Sequence, residues 1–514
     1  MAVVSQVSFT VDGRDVAVDD DGASLLEVLR DRLGLRGVKD GCSPQGQCGC
    51  CTVLVDGAPR VACVTPIKRI AGRTVTTIAG LDRAEQWADA FCTTGASQCG
   101  LCTPGIIVRL DALRTSGAGA GAVDKVERAL LAHLCRCTGW RSIEDAWRAF
   151  DDVSSTDRDL DAAAARAVLE GGRPQRVGRD VALGLGGFAD DTAPLDALVA
   201  VPDGAGSWAV AETLTEARRA ASKTQGRRTT VAATHPVAVP AGEWARTLQT
   251  QWVEPAYLET DASWCDPGGE PVSPLANGGA FGGKETSAVM ATARELADRH
   301  GRAVRVLLSR EDTVRMGAKR PPIGAGMRRD GTGMLRVART PGVVDAITSY
   351  TRDVVVEEVD VSGPPTSSAL RAVGWAEAAV LISCVRDDST PIIAPNGASA
   401  EAHVDATGVH VRVRAGEPLD EVVLRSYCIG AAHMAIGWVT SEGIAVDDDG
   451  EPHDLTIRSF GILRAVDTPE ITVEIADDRS TPRNGSDAVF VAVAAAVWRA
   501  QGCPPTFPTG RMLR

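Results

Sequence analysis

The sequence predicts an α+β protein built from several units in series. Three observations point there. Val7-Ser8-Phe9-Thr10-Val11 alternates, Asp12-Gly13 is a turn signal, and Val16-Ala17-Val18 resumes the pattern, so the chain opens on strands. Val126, Leu130, Leu131 and Leu134 recur at helical spacing, so a helical unit follows. Beyond it, strand-like and helix-like segments alternate to the end of a 514-residue chain, enough for roughly three to four domains of about 150 residues.

Residues 1–81 read as a strand-rich unit with one helix. Ser24-Leu25-Leu26-Glu27 is a capping box opening Leu25 to Leu33, and Gly34 ends that helix. Residues 82–150 form the helical unit, with the Gly-Ala run from Ser116 to Ala122 as a loop between its helices. Residues 151–178 are expected to be a linker, with two Asp at the start, Ser-Ser-Thr, then Gly-Gly-Arg-Pro. Residues 179–514 form the alternating region, and no internal repeat is visible.

Composition excludes several classes of function. Hydrophobic residues are 44% and charged residues 24%, as in globular protein. A net charge of -13 argues against nucleic acid as the main partner, because phosphate binding needs a basic surface. The best apolar run, Ala488 to Trp498, is too short to span a bilayer. Met1 to Thr10 shows neither a charged-then-apolar leader nor a twin arginine, so a cytoplasmic location is expected.

Of 14 cysteines, ten lie between Cys42 and Cys137. A reducing compartment disfavours disulfides, so this density points to metal. The first set is Cys42, Cys48, Cys51 and Cys63, three of them from the glycine-rich loop Gly41 to Val53. Cluster sulfur needs backbone N–H groups aimed at it, and glycine lets the chain wrap closely. The spacing is near the plant-type ferredoxin pattern, one residue longer in the first gap. Structural zinc also uses four cysteines, but three ligands within ten residues of so glycine-rich a loop favour [2Fe–2S]. The spacing gives no role to Cys50. The second set is Cys99-x2-Cys102 and Cys135-x-Cys137. Thr103-Pro104 starts a helix well and Gly139 is expected to stop one, so helix termini facing each other would hold a second [2Fe–2S] cluster. Cys92 reads as a small buried hydrophobe.

Together these motifs resemble the iron–sulfur region of the molybdenum hydroxylases, the xanthine dehydrogenase family. The resemblance runs through residues 1 to about 150. It includes Leu25-Leu26-Glu27-Val28-Leu29-Arg30, Val38-Lys39-Asp40-Gly41-Cys42 and Gln98-Cys99-Gly100-Leu101-Cys102-Thr103-Pro104-Gly105. It implies a ferredoxin-like β-grasp domain for the first cluster and a helical bundle for the second. It also implies that Gln98 contacts the pterin of a molybdenum cofactor.

In the C-terminal region, Asn277-Gly278-Gly279-Ala280-Phe281-Gly282-Gly283-Lys284-Glu285-Thr286 fits most of a nucleotide phosphate loop, but Glu285 replaces the Ser/Thr that would bind Mg²⁺. A glycine-rich loop before a helix (Ser287 to Arg299) still offers N–H donors to a phosphate or dithiolene group. The segment is similar to the loop beside the molybdenum site of the same family. Val253 to Thr260, Leu308 to Asp312, Ser368 to Arg371 and Gly430 to Gly450 match other family segments in order. The resemblance assigns Ala280, Phe281 and Gly282 to the cofactor, and Glu285 and Arg371 to substrate contact. The plain alternative for both charged residues is a surface or ion-paired side chain.

Three departures stand beside the resemblance. The region is short for a complete molybdopterin-binding unit, the stretch from Glu259 to Gly278 is reduced, and no Gly-Gln-Gly loop lies between Arg371 and Gly430. The family's catalytic Glu aligns with Ser486, leaving Asp487 one position on as the available base; on a helix that shift turns the side chain by about 100°. The seven histidines form no ligand pair at helical spacing and read as structural or surface residues. No Gly-x-Gly-x-x-Gly loop for NAD or FAD follows a strand.

The expected function is therefore an oxidoreductase component relaying electrons through two [2Fe–2S] clusters. A molybdenum site would supply them, and an FAD-binding subunit or another acceptor would take them in a hetero-oligomer. The C-terminal region either binds molybdopterin and hydroxylates substrate itself, or is a degenerate copy docking on a larger molybdopterin subunit. The missing loop and Glu favour the second. A non-enzymatic, zinc-stabilised binding protein is the competing class.

Overall fold

The computed structural model describes residues 6–153, 158–221, 231–275, 279–386 and 390–513. Asn277 and Gly278 of the glycine-rich loop, and residues 154–157 of the expected linker, lie outside the described residues.

The N-terminal strands form one mixed sheet in the order Arg14–Asp19, Gln6–Val11, Thr74–Thr76, Thr52–Val55, Ala58–Val61. Gln6–Val11 runs antiparallel to its hairpin partner but parallel to Thr74–Thr76, the arrangement of a β-grasp sheet. Phe9, Val11 and Val53 face inward, against Leu25, Val28 and Leu29 of the helix across the sheet. The expected capping box is half formed. Ser24 accepts from the Glu27 N–H at 3.2 Å, but the Glu27 carboxylate takes the Thr215 hydroxyl at 2.6 Å instead of reaching back. A partner 188 residues away outcompetes the local one, and the helix continues from Val28 to Arg32 in π geometry.

The helical unit contains Ala84–Thr94, Thr103–Thr115, Val123–Ala129 and Arg141–Ala149. Trp87, Trp147 and Phe150 stack at its centre. Gly139, expected to stop a helix, instead precedes one: with φ +59° it turns the chain into Arg141–Ala149. The segment expected as a linker carries a helix, Leu160–Gly171, capped by Asp159. Its buried Ala163 and Ala167 pack on Val423 and Tyr427, which its alanine-rich composition permits.

Three further sheets follow. One holds Trp208–Ala211, Leu198–Pro202, Val304–Leu307 and Ala262–Cys265; another holds Val354–Val359, Gly333–Ala338, Ile323–Met327, Arg246–Thr250 and Thr506–Phe507. The last orders Ile392–Ile393, Ser399–Asp405, Gly408–Arg414 and Ile471–Ile475. Helices Trp375–Arg386, Glu421–Thr440 and Ser486–Ala500 fill the core between them. A disulfide joins Cys384 to Cys503, where the sequence reading expected none. Among the described residues Glu421–Thr440 is the one helix long and apolar enough to cross a membrane, and 89% of its most apolar stretch is buried inside the protein.

His433, on that helix, is fully buried and donates from Nε2 to the Leu463 carbonyl at 3.1 Å. Burial pushes its pKa down to about 3, against about 6.5 in an unfolded chain. Between those values the unfolded state binds a proton that the folded state does not. This contribution to stability is therefore full above pH 6.5 and falls by about 1.4 kcal/mol per pH unit below it. Denaturant titrations at pH 7, 6 and 5 should show that slope. His433→Gln should remove one proton's share of it, and an unchanged slope would place the residue's titration elsewhere.

Candidate metal centres

Both cysteine sets close on themselves in space. In the first, the Cys42 thiol lies against those of Cys48 and Cys63, and Cys63 against that of Cys51. All four are buried. Backbone N–H groups aim at the sulfurs: Gln45 N and Gln47 N at Cys42 Sγ, 3.2 and 3.5 Å, and Cys63 N at Cys51 Sγ, 3.4 Å. Such donors stabilise thiolate charge in a low-dielectric interior. The donor set and its N–H shell fit an iron–sulfur cluster. Cys50 is buried beside Cys48.

In the second set, Cys137 Sγ lies 3.6 Å from Cys99 Sγ, and Cys102 lies against Cys135. Cys102 is the N-cap of Thr103–Thr115, and Cys135 and Cys137 precede Arg141–Ala149. Cys102 thus sits at a helix N-terminus, where the peptide dipoles favour negative charge. The two loops touch, with Leu134 N donating to Cys48 O at 2.9 Å.

The C-terminal region closes over both loops. Arg458 donates to the Gln47 and Leu131 carbonyls at 2.9 Å each. Gln45 is held by Glu311, Leu455 and Ile457. Arg136, between the two ligands Cys135 and Cys137, makes a buried bidentate pair with Glu442 at 2.5 and 2.8 Å. Gly430 packs so tightly on the second loop that a Cβ there would fall 1.8 Å from the Cys137 carbonyl oxygen. Gly430→Ala should therefore displace that loop. The expected cost is about 1–3 kcal/mol, with weakened retention of the second cluster and the first intact, read by iron content and EPR. Full iron and an unchanged melting temperature would contradict it.

The residues that the resemblance assigns to a molybdenum cofactor converge in part. Ala280 is buried beside Cys99 and Cys137. Phe281 (φ +49°) lies under the Arg371 guanidinium, 4.9 Å from ring centroid to Arg371 Cζ. Arg371 Nε is 3.5 Å from Asp487 Oδ1. Gly282 has φ +86°, and its missing Cβ would meet the Ala369 carbonyl at 2.0 Å, so only glycine lets these two segments touch. Glu285 stands apart from this group: it is partly exposed and ion-paired with Arg173.

Among the described residues, these side chains leave little room for a pterin cofactor. Gln98 spends its amide on the Cys137 carbonyl and the Ser426 hydroxyl, both at 2.9 Å. The cavity beside Cys99 and Ala280 measures about 10 Å³, and that between Phe281, Arg371 and Trp438 about 40 Å³. Those are spaces for one to a few waters. At the start of the last helix, Glu170 accepts from Gly485 N (3.1 Å) and Ser486 N (2.8 Å) and pairs with Arg166. Buried pairs Lys284–Glu259, Lys319–Glu254 and Arg320–Glu377 line the rest. Burial pushes the Glu259 carboxyl up to about 7, against the pull of Lys284.

Sequence reasoning missed Glu170, Arg136 and Glu442. Glu170 lay in the expected linker, and the Arg136–Glu442 pair joins residues 306 apart. His403 and His410, read from the sequence as structural or surface residues, stand opposite each other across a hairpin. The turn sequence Asp405-Ala-Thr-Gly408, flanked by alternating residues, was the available signal.

Comparison with known proteins agrees with this geometry. A family model described as a 2Fe-2S iron-sulfur cluster binding domain matches residues 9–68. One described as a [2Fe-2S] binding domain matches residues 77–148. The aldehyde oxidoreductase of Megalodesulfovibrio gigas is 42% identical over 148 residues, 27% of this chain and 16% of that protein. Xanthine dehydrogenase 1 of Arabidopsis thaliana is 38% identical over 141 residues, 25% of this chain and 10% of its own. The matched part thus spans a small fraction of either relative. The solved aldehyde oxidoreductase from Desulfovibrio desulfuricans superposes with a TM-score of 0.68 at 14% identity, covering 96% of this chain and 97% of that one. At that identity the likeness is one of fold.

Proposed function

This chain belongs, through its iron–sulfur region, to the molybdenum hydroxylase family of oxidoreductases, and from that premise we propose that it is the family's electron-transfer component rather than its catalytic one. It works between a molybdopterin-bearing partner subunit and a flavin subunit. The observation that carries this reading is the closure of eight cysteines into two buried sets of four, in contact through one peptide hydrogen bond. Each [2Fe–2S] cluster, when bound, supplies a one-electron centre.

The chain's own residues hold and seal those centres. Cys42, Cys48, Cys51 and Cys63 ligate one; Cys99, Cys102, Cys135 and Cys137 the other. Gln45, Gln47 and Cys63 N–H groups stabilise thiolate charge. The C-terminal region excludes water: Arg458 and Gln45 tie down one loop, and Arg136–Glu442 and Gly430 the other. It keeps the fold of a molybdopterin-binding unit but fills the cofactor's place with ion pairs. Ser486 stands where that family has its Glu, and a hydroxyl cannot act as base toward a metal-bound hydroxyl.

Metal analysis of the purified chain tests this. About four Fe per chain, two per cluster, and no molybdenum are expected. Zinc without visible absorbance would overturn the cluster assignment. Stoichiometric molybdenum, or turnover by the isolated chain with a dye acceptor, would show that the C-terminal region is catalytic.

A further inference from the structure

We propose that His403, Asp405 and His410 form a divalent transition-metal site on the outer face of the C-terminal sheet, separate from the cysteine centres. Strands Ser399–Asp405 and Gly408–Arg414 pair antiparallel with His403 directly opposite His410. Strand alternation turns His403, Asp405 and His410 to one face. The imidazoles stack at 4.7 Å between centroids. His410 Nε2 lies 3.2 Å and His403 Nε2 3.8 Å from the two oxygens of Asp405. One ligand atom from each residue falls within 4.8 Å of the others.

Those separations straddle what a metal asks for. With bonds of about 2.0–2.2 Å, tetrahedral ligand atoms stand about 3.4 Å apart. The His403 side chain is 70% exposed, so it closes the gap by rotating without disturbing the core. Asp405 Oδ1 accepts from the Thr407 N–H and hydroxyl at 2.7 and 2.6 Å, leaving Oδ2 toward His403, and a metal would displace the Thr407 hydroxyl that also lies 2.8 Å from His410 Nε2. Arg412, two positions along the strand from His410, is paired with Glu474 at 3.0 Å. Thr472 Oγ1, 2.8 Å from His410 Nδ1, fixes that ring so that Nε2 faces Asp405. Two imidazoles and one carboxylate select zinc-class ions over Mg²⁺ or Ca²⁺, which prefer all-oxygen shells. The fourth position is open to water.

The test is calorimetric titration of the cluster-loaded chain with Zn²⁺, with visible absorbance followed to show that the clusters stay intact. One site per chain is expected. His410→Ala and Asp405→Asn should each weaken it at least about ten-fold, while Thr407→Val, which removes the hydroxyl that bonds both Asp405 and His410 in competition with a metal, should not. All three positions are at the surface, and an unchanged visible circular dichroism spectrum confirms folding. No binding, or equal affinity in wild type and His410→Ala, would overturn the proposal.

Discussion

Cys137→Ser is expected to remove one of the two EPR signals of the reduced protein and about two of four Fe per chain, leaving the other signal in place. The serine oxygen is a harder and far less acidic ligand than a thiol, so it does not replace thiolate. The loss should stay local, because the first set of cysteines has its own sheet and its own N–H donors. Cys99→Ser should behave in the same way, since its sulfur lies 3.6 Å from that of Cys137. Loss of both signals from either variant would mean that the four-and-four assignment is wrong, or that the two units fold only together. Their shared peptide hydrogen bond, Leu134 N to Cys48 O, makes that outcome physically distinct and detectable by far-UV circular dichroism.

Glu442→Ala should cost about 3–5 kcal/mol, because it leaves the Arg136 guanidinium buried and unpaired. Arg136 is 3% exposed. Its remaining acceptor is the Pro255 carbonyl, 3.0 Å from Nε. The charge would sit between two cluster ligands, so the second cluster should be lost before global unfolding. Removing both partners, Arg136→Met with Glu442→Leu, should recover most of the stability, since a well-packed apolar pair avoids the desolvation cost. Thermal unfolding and iron retention separate the cases. A single variant as stable as wild type would show that water reaches Arg136, and a double variant no better than the single would show that the contact is needed for packing rather than charge.

Short-range pattern in the chain was enough to read part of this protein. Alternation at Val7 to Val11 became a strand, Thr103-Pro104 became a helix start, and the cysteine spacings singled out the eight cysteines that the structure gathers into two buried sets. Such features follow mostly from residues a few positions apart, whose local backbone preferences need no distant partner. Long-range packing accounts for the rest. It decided that Glu27 serves Thr215 instead of its own helix, that Gly139 leads into a helix, and that the expected linker brings Glu170 to the N-terminus of the last helix. It placed Glu285 at the surface with Arg173, and set His403 opposite His410. Each of these depends on partners brought together by packing, and a charged side chain gives no local sign of which opposite charge will share its burial. The space a pterin would need is of the same kind. Gln98, Phe281 and Arg371 were legible as family positions, and Asp487 as an acid one place beyond the family's Glu, but the space among them depends on the ion pairs and the Gly430 contact that close around them.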